Sequence, residues 1–339
     1  MRRPSLRVDR STGLLSLSWE ALVVPIAVYD EALERRTRGR ICDRPFLWFP
    51  EERRFFAIPS GGGFPDYDTI IAANTIDGAF EDYWGFKASI TTAAAQFFTL
   101  WRAAGQPITG AQPATIGGDI LTGASTGAWG PTNPTVNKSK HGLYVAGSDT
   151  VAVGELLLYD RLWHGRPLLN TTAQQTVNSP AWTRYANGPG VKIFIEVGTV
   201  LAAGAHNWTL SAYTDQDGAS GNNGGANTGI SAAAVDRLDH SSPWLTLAAN
   251  DTGVRSIQGI TLSATIATGA VNMVACRPIT WLPILGANVL VERDLVLQIA
   301  QLPRLYGDGT NGPCLAWAVM PTNTTSSGVL TWSMFYSEK

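Results

Sequence analysis

Charge is scarce in this chain. Lys, Arg, Asp and Glu make up 15% of its 339 residues, against roughly 25% in an ordinary soluble domain. The net charge is only −2. No broad basic field is available to hold nucleic acid, and no acidic tail imitates it. Cysteine is scarce as well: Cys42, Cys276 and Cys314 lie far apart and form no CxxC pair. That spacing argues against zinc and against a disulfide framework, and leaves buried free thiols of a protein made in a reducing compartment. No run of 18 apolar residues occurs, so no membrane-spanning helix is expected. The start "MRRPSLRVDR" is basic, but no signal-like apolar stretch follows it directly, and "LVVPIAVY" (22–29) is short and broken by Pro25. No P-loop is present, and no cofactor is expected.

Glycine and tryptophan are abundant, at 35 and 12 residues. A chain poor in charge and rich in aromatics is expected to cover part of its surface in an assembly. The cations are unevenly placed, with 11 of the 25 Lys and Arg within residues 1–54. Within that basic segment a short helix is predicted at Asp30–Arg38, ending before Gly39. "ICDRPFLWFPEERRFFAIPSGGGFP" alternates aromatics with charges and reads as an arm lying along another surface. Trp48, Phe49, Phe55 and Phe56 would be its anchors, and Arg35, Arg36, Arg53 and Arg54 would pair with acidic neighbours. An ordinary peripheral layer on the main domain is the alternative.

"TTAAAQFFTLWRAAGQP" predicts a helix, capped at Thr91 or Thr92, with Ala93, Phe97, Leu100 and Trp101 at helical spacing and Gly105 and Pro107 as stops. Beyond residue 108, short apolar runs alternate with Gly, Pro, Asn and Ser. Strands are expected at Gly142–Ala146, Val151–Tyr159, Val191–Leu201, Trp208–Tyr213, Trp244–Ala248, Ile257–Ile266, Val271–Cys276, Val289–Leu297, Cys314–Met320 and Val329–Tyr336. The fold class expected is all-β: an antiparallel, jelly-roll-like β-sandwich at 108–339, preceded by a partly helical connecting segment at 61–107 and an extended arm at 1–60. "LAANDTGVRSIQGITLSATIATGAVNMVA" (247–275) holds one Asp and one Arg. It reads as a strand pair, with a bulge near Gly259 to repair its apolar register.

Several motifs touch on chemistry. Gly123–Gly127, "GASTG", has the nucleophile-elbow spacing, but "AWGPTNP" follows where a helix is required, so Ser125 reads as part of a Gly-rich loop. "DQDGASGNN" (215–223) lacks EF-hand spacing and a closing Glu, and reads as a turn rather than a calcium loop. His141, His164, His206 and His240 are scattered, without a second His at metal spacing. Asp66, Asp68, Asp77, Glu81 and Asp82 could hide a glycosidase pair, though no setting singles two of them out. No metal site and no catalytic residue is expected.

"ELLLYDRLWHGRPLLNTTAQQTVNSPAWTRYANGPGVKIFIEV" (155–197) resembles structural proteins encoded in tailed-bacteriophage virion modules, as do "WTLSAYTDQDG", "LPRLYGDGTNGPCLAW" and "FFTLWRAAGQP". The resemblance spans residues 90–339 and leaves the first 60 aside. It implies a virion component assembled in the host cytoplasm, without enzymatic activity. A capsid decoration (cement) protein is expected, self-associating as a trimer and clamping neighbouring capsid proteins, with neither nucleic acid nor membrane as partner. The alternative is a tail or collar appendage binding host glycans, with Trp129, Trp163, Trp182 or Trp208 stacked on sugars.

Overall fold

In a computed structural model, residues 5–9, 14–19, 22–28, 37–41, 44–49, 54–57, 80–132, 140–148, 154–294, 305–322 and 328–338 are described. Up to residue 57, and for most of 140–148, the description is of the backbone. The described chain is all-β and its strand pairs are antiparallel. It divides into two compact units, Met1–Ala72 with Lys339, and Ala73–Glu338.

The described strands of the first unit form two three-stranded meanders. β1 (Ser5–Asp9), β2 (Leu14–Trp19) and β3 (Leu22–Val28) form one three-stranded sheet. A second is formed by β4 (Thr37–Ile41), β5 (Arg44–Phe49) and β6 (Arg54–Ala57). The expected helix at 30–38 gives way at its end to β4, and its earlier residues lie outside the described ones. Of the proposed anchors, Trp48 on β5 stands opposite Phe55 on β6, and Phe49 opposite Arg54, with Phe56 next along β6. Their side chains lie outside the described residues, as do Arg35, Arg36 and Arg53 altogether.

The second unit is built on a six-stranded sheet. Its path runs β14 (Lys192–Thr199), β18 (Ala270–Ile284), β12 (Gly154–Gly165), β20 (Leu315–Pro321) and β8 (Phe98–Thr99), with β10 (Asp119–Ile120) paired to β12. β12 is buried at every position but Glu155, the mark of a strand covered on both faces. Alternation explains how. Leu156 and Leu158 pack with Ile279, Leu282, Trp317 and Val319, while Leu157 and Tyr159 pack on the other face with Phe194, Val274 and Cys276. Bulges between Leu158 and Tyr159 and between Arg161 and Trp163 shift the register. Beyond them Leu162 and Trp163 enter a third cluster.

That third cluster is shared with a four-stranded sheet of β13 (Gln175–Thr176), β17 (Val254–Leu262), β15 (Asn207–Asp215) and β16 (Ala226–Thr228). Ile193, Ile195, Val197, Val271, Met273 and Ala275 come from the six-stranded sheet, and Trp208, Leu210, Tyr213, Ile257, Ile260 and Leu262 from the four-stranded one. The uncharged stretch 247–275 therefore does supply two strands, but they do not pair with each other. β17 joins β15 and β13, β18 joins β12 and β14, and the two meet through their side chains. The bulge stands where expected: Gly259 faces Ala212 and Ile257 faces Tyr213, so Gln258 is the extra residue.

A five-stranded sheet completes the unit. Its order is β19 (Val291–Asp294), β11 (Lys140–Ser148), β21 (Leu330–Glu338), β7 (Phe80–Lys87) and β9 (Gly105–Gln106). Leu330, Trp332, Met334 and Tyr336 of β21 pack onto the six-stranded sheet's Leu156–Leu282–Trp317 cluster.

Two further expectations fail. Residues 91–103 form no helix but a turn, the short β8 and a bend. Phe98, Leu100 and Trp101 are all buried there because Leu100 N–H donates to Trp317 O and Thr99 N–H to Asp236 O, which ties the segment to the sheet edge. Residues 244–248 form no strand, although Leu245 N–H donates to Ile193 O beside β14.

Candidate functional site

The outer face of the five-stranded sheet carries the most unusual surface among the described residues. Along β7, Tyr83, Gly85 and Lys87 point inward while Asp82, Trp84 and Phe86 point outward. Lys87 is held beneath the sheet, where Nζ donates to Ala103 O (3.0 Å) and Pro107 O (2.8 Å). Trp84 is 67% exposed, and Phe86 beside it is also exposed. In register they stand opposite Ser333 and Thr331 of β21. Leu290, 69% exposed, reaches over Gly147 from the turn before β19. Between them lies a shallow depression of about 370 Å³.

Gly85 is the floor of that depression for a steric reason. A Cβ there would lie 2.6 Å from both Gln106 O and the Trp332 ring. Without it the ring of Trp332 seats directly under β7, packed within an aromatic cluster. Trp332 lies 5.1 Å from Trp129 and 5.8 Å from Trp317, and Trp129 lies 5.4 Å from Tyr83. The exposed rings thus stand on a rigid aromatic layer. The depression is lined by aromatic and aliphatic groups; its polar side-chain groups are the hydroxyls of Thr331 and Ser333 and the indole N–H of Trp84 and Trp332, and no charged residue lines it.

Inside the unit, the polar chemistry is engaged with itself. Arg161 and Asp160 are adjacent on β12 and therefore face opposite sides of the sheet. Arg161 Nη2 lies 2.5 Å from Glu196 Oε1 and Nη1 lies 3.0 Å from Oε2, both residues being fully buried. Glu196 also accepts from Thr99 Oγ1 (2.9 Å) and Asn272 Nδ2 (3.1 Å), and the guanidinium sits 4.7 Å over the Trp101 ring. Burial alone pushes the Glu196 carboxyl up, but Arg161 and these hydrogen bonds hold it below its ordinary range. On the other side Asp160 takes two hydrogen bonds from Arg184 (2.9 and 2.8 Å) and one from Cys314 N–H (2.9 Å).

His206 and Asp239 make a buried His–Asp pair, 2.9 Å apart, but it lacks the geometry of a catalytic dyad. The second ring nitrogen of His206 meets Gly204 O, and Asp239 also accepts from Trp208 Nε1 and Ile230 N–H. Among the described residues no Ser or Cys side chain makes a hydrogen bond with either of them. His164 and His240 are buried, and His141 has its side chain outside the described residues. Burial pushes the Cys314 thiol up to about 12 and raises Cys276 as well, so both thiols are inert.

The other motifs resolve as turns. Ser125 Oγ accepts from Thr122 N–H within a loop without a helix after it. The Asp215 carboxylate accepts from Asp217 N–H, Ala219 N–H and Asn222 Nδ2, which closes its own loop. Asp82 is exposed on β7; Asp66, Asp68, Asp77 and the Glu81 side chain lie outside the described residues. A dinucleotide-like spacing, Gly307-x-Gly309-x-x-Gly312, escapes the sequence reading; it forms a turn closed by Asp308 accepting from Thr310 and Asn311 N–H, with no helix after it. Among the described residues no three His, Cys, Asp or Glu side chains are grouped to hold a metal ion.

The tryptophans expected to stack on sugars are in the core. Trp129, Trp163, Trp182 and Trp208 are all buried, and Trp163 Nε1, Trp182 Nε1 and Trp208 Nε1 donate internally. Among the described tryptophans the exposed one is Trp84, in the segment expected to be a partly helical connector. Its signal was the alternation in "FEDYWGFK", which places Trp84 and Phe86 on one face. No protein-family model, curated protein or solved structure matches this chain.

Proposed function

We propose that this chain is a non-enzymatic structural subunit of a tailed-bacteriophage virion, of the capsid-decoration kind. In this reading its second unit is a jelly-roll-like sandwich that self-associates, as a trimer, and the assembled trimer clamps neighbouring capsid proteins. The resemblance of residues 90–339 to virion proteins gives the location. The observation that carries the role is the outward pair Trp84 and Phe86, with Leu290, around a depression that no charged residue lines. Such a cluster on a chain this poor in charge is suited to burial against another protein. Aromatic anchors at the centre of an interface commonly contribute 2 kcal/mol or more each, on the order of a 30-fold change in association.

The measurement is the oligomeric state by light scattering, for the full chain and for Trp84→Ser and Leu290→Asp. The full chain is expected to assemble, and each variant to dissociate at concentrations at least tenfold higher than wild type tolerates while retaining its melting temperature. A wild-type chain that stays monomeric at high micromolar concentration overturns the self-association. A second prediction concerns the first unit: a chain lacking residues 1–57 is expected to stabilise phage heads against heat less well than the full chain, and equal protection would remove the clamping role of its aromatic and Arg residues.

A glycan-binding appendage is the competing reading. The depression beside Trp84 offers two hydroxyls and no amide or charged side chain, whereas sugar recognition needs several convergent polar groups. Saturable binding on a glycan array, lost in Trp84→Ser, would reverse the preference.

A further inference from the structure

A second concavity, a groove of about 560 Å³, lies at the end of the six-stranded sheet and shares no residue with the outer face. Three chain segments wall it: 114–116, the turn 166–170 that follows β12, and 266–270 leading into β18. Its walls are fixed by backbone hydrogen bonds. Arg166 N–H donates to Thr115 O (2.8 Å) and Ile266 N–H to Leu169 O (2.8 Å). The buried side chain of Gln175 clamps the turn, accepting from Leu168 N–H (2.7 Å) and donating to Leu168 O (2.8 Å). A groove so held does not have to be ordered on binding.

Its chemistry is one-sided. Ile116, Leu168, Leu169 and Ile266 make it apolar, Leu168 being more than half exposed, and Thr115, Asn170 and Thr268 add neutral polar groups. One charge lines it, that of Arg166, and no carboxylate does. Arg166 is half-buried, and among the described residues its guanidinium makes no ion pair or hydrogen bond. Elsewhere in this unit the buried guanidinium groups of Arg161 and Arg184 each meet a carboxylate in two-point contact. A partly desolvated guanidinium without its own anion is a fork ready for a planar carboxylate.

We propose that this groove captures the carboxyl-terminal end of a polypeptide whose last residues are apolar, with the terminal carboxylate on Arg166 and the apolar side chains over Leu168, Leu169 and Ile266. Terminal-carboxylate capture is a recurrent mode of peptide recognition. A fatty acid shares the carboxylate, but its alkyl chain gains by enclosure. This groove is open and includes the neutral polar residues Thr115, Asn170 and Thr268 in its lining, which can pair with peptide amides. The proposal stands independently of the outer-face reading.

The test uses the full chain and a fluorescein-labelled hexapeptide ending in Leu-Val-Leu, read by anisotropy. The free-acid peptide is expected to bind saturably, and its C-terminal amide at least tenfold more weakly. Arg166→Gln should weaken the free acid to the level of the amide and leave the amide's own affinity unchanged, while Leu168→Ser weakens both. The Arg166→Gln chain is expected to melt with the wild type, since its side chain holds nothing in the fold; should it misfold, the acid-to-amide ratio on the wild type decides by itself. Equal binding of acid and amide, absence of saturable binding at millimolar peptide, or displacement of the probe by dodecanoate at lower concentration than by unlabelled peptide would each overturn the proposal.

Discussion

Replacing Glu196 by alanine is expected to cost about 3–5 kcal/mol of folding stability, because it leaves the Arg161 guanidinium buried and without its counter-charge. Neither residue has access to water, and the Trp101 ring and a ring nitrogen of His164 at 3.3 Å, which also lie against Arg161, are not anions. A loss of that size is a large part of the total for an ordinary domain. The paired replacement Arg161→Met with Glu196→Leu behaves differently, since it removes both charges together. It is expected to lie within about 1–2 kcal/mol of wild type on either side. Urea unfolding of Arg161→Met, Glu196→Leu and the double variant forms a cycle that separates the explanations. If Glu196→Ala alone costs under about 1 kcal/mol, the pair is not desolvated as described and the central sheet is less closed than it stands here.

The second large effect is acid unfolding. Burial, and then the Arg161 charge, lower the His164 pKa to about 3, and burial lowers His240 to about 4. Each imidazole is neutral in the fold: His240 Nε2 accepts from Ile195 N–H, and His164 Nδ1 faces Arg161. In the unfolded chain both take a proton near pH 6.5. Their contribution is therefore complete above that pH and is lost as pH falls toward 4 and 3. At about 1.4 kcal/mol per unit, the two together withdraw stability on the order of 8 kcal/mol by pH 3.

Two groups oppose them. Asp236 is raised to about 6 by burial and by Glu196, so its share is present in acid and lost as pH rises through 6; it returns about 3 kcal/mol at low pH. Burial lowers His206, but Asp239 more than compensates and its pKa is raised, which also favours the fold in acid. The expected outcome is a cooperative transition between pH 6 and 4, seen in near-ultraviolet circular dichroism and tryptophan fluorescence. A fold that persists to pH 3 would contradict the neutral, buried state of the two histidines.

Much of the sheet was readable because strand identity is local. "KIFIEV", "WTLSAY" and "LTWSMFY" alternate, and β14, β15 and β21 lie where that alternation places them. Pairing was not readable from the same signal. The run 247–275 reads as a hairpin, yet its turn carries the chain from one sheet to another, a choice made by which partners complete the shared core. The segment 91–103 shows the converse error. Ala, Phe, Leu and Trp at helical spacing suggested an amphipathic helix, but the hydrogen bonds to Trp317 and Asp236 bury the same side chains without one.

The candidate sites follow the same division. Trp84 and Phe86 share a face by simple alternation, while their exposure there is a tertiary fact. Arg166 is a lone cation in the sequence and acquires meaning only because residues 114–116 and 266–270 fold beside it. The Arg161–Glu196 pair is equally silent: 35 positions separate its members, and only their common neighbour β18 brings them together.

The pairing of β7 with β21 bears on how the molecule is made. Phe80 stands beside Ser337, and Lys87 beside Leu330, so β7 finds its long partner β21 only when that strand has left the ribosome, although the short β9 can pair with it earlier. At translation speeds of roughly 5–20 residues per second, β7 and its Trp84 wait many seconds with an open edge. Closure of that sheet is then expected after synthesis, in the slow range typical of long-range β pairing, and a nascent chain stalled before β21 should be the form that chaperones hold.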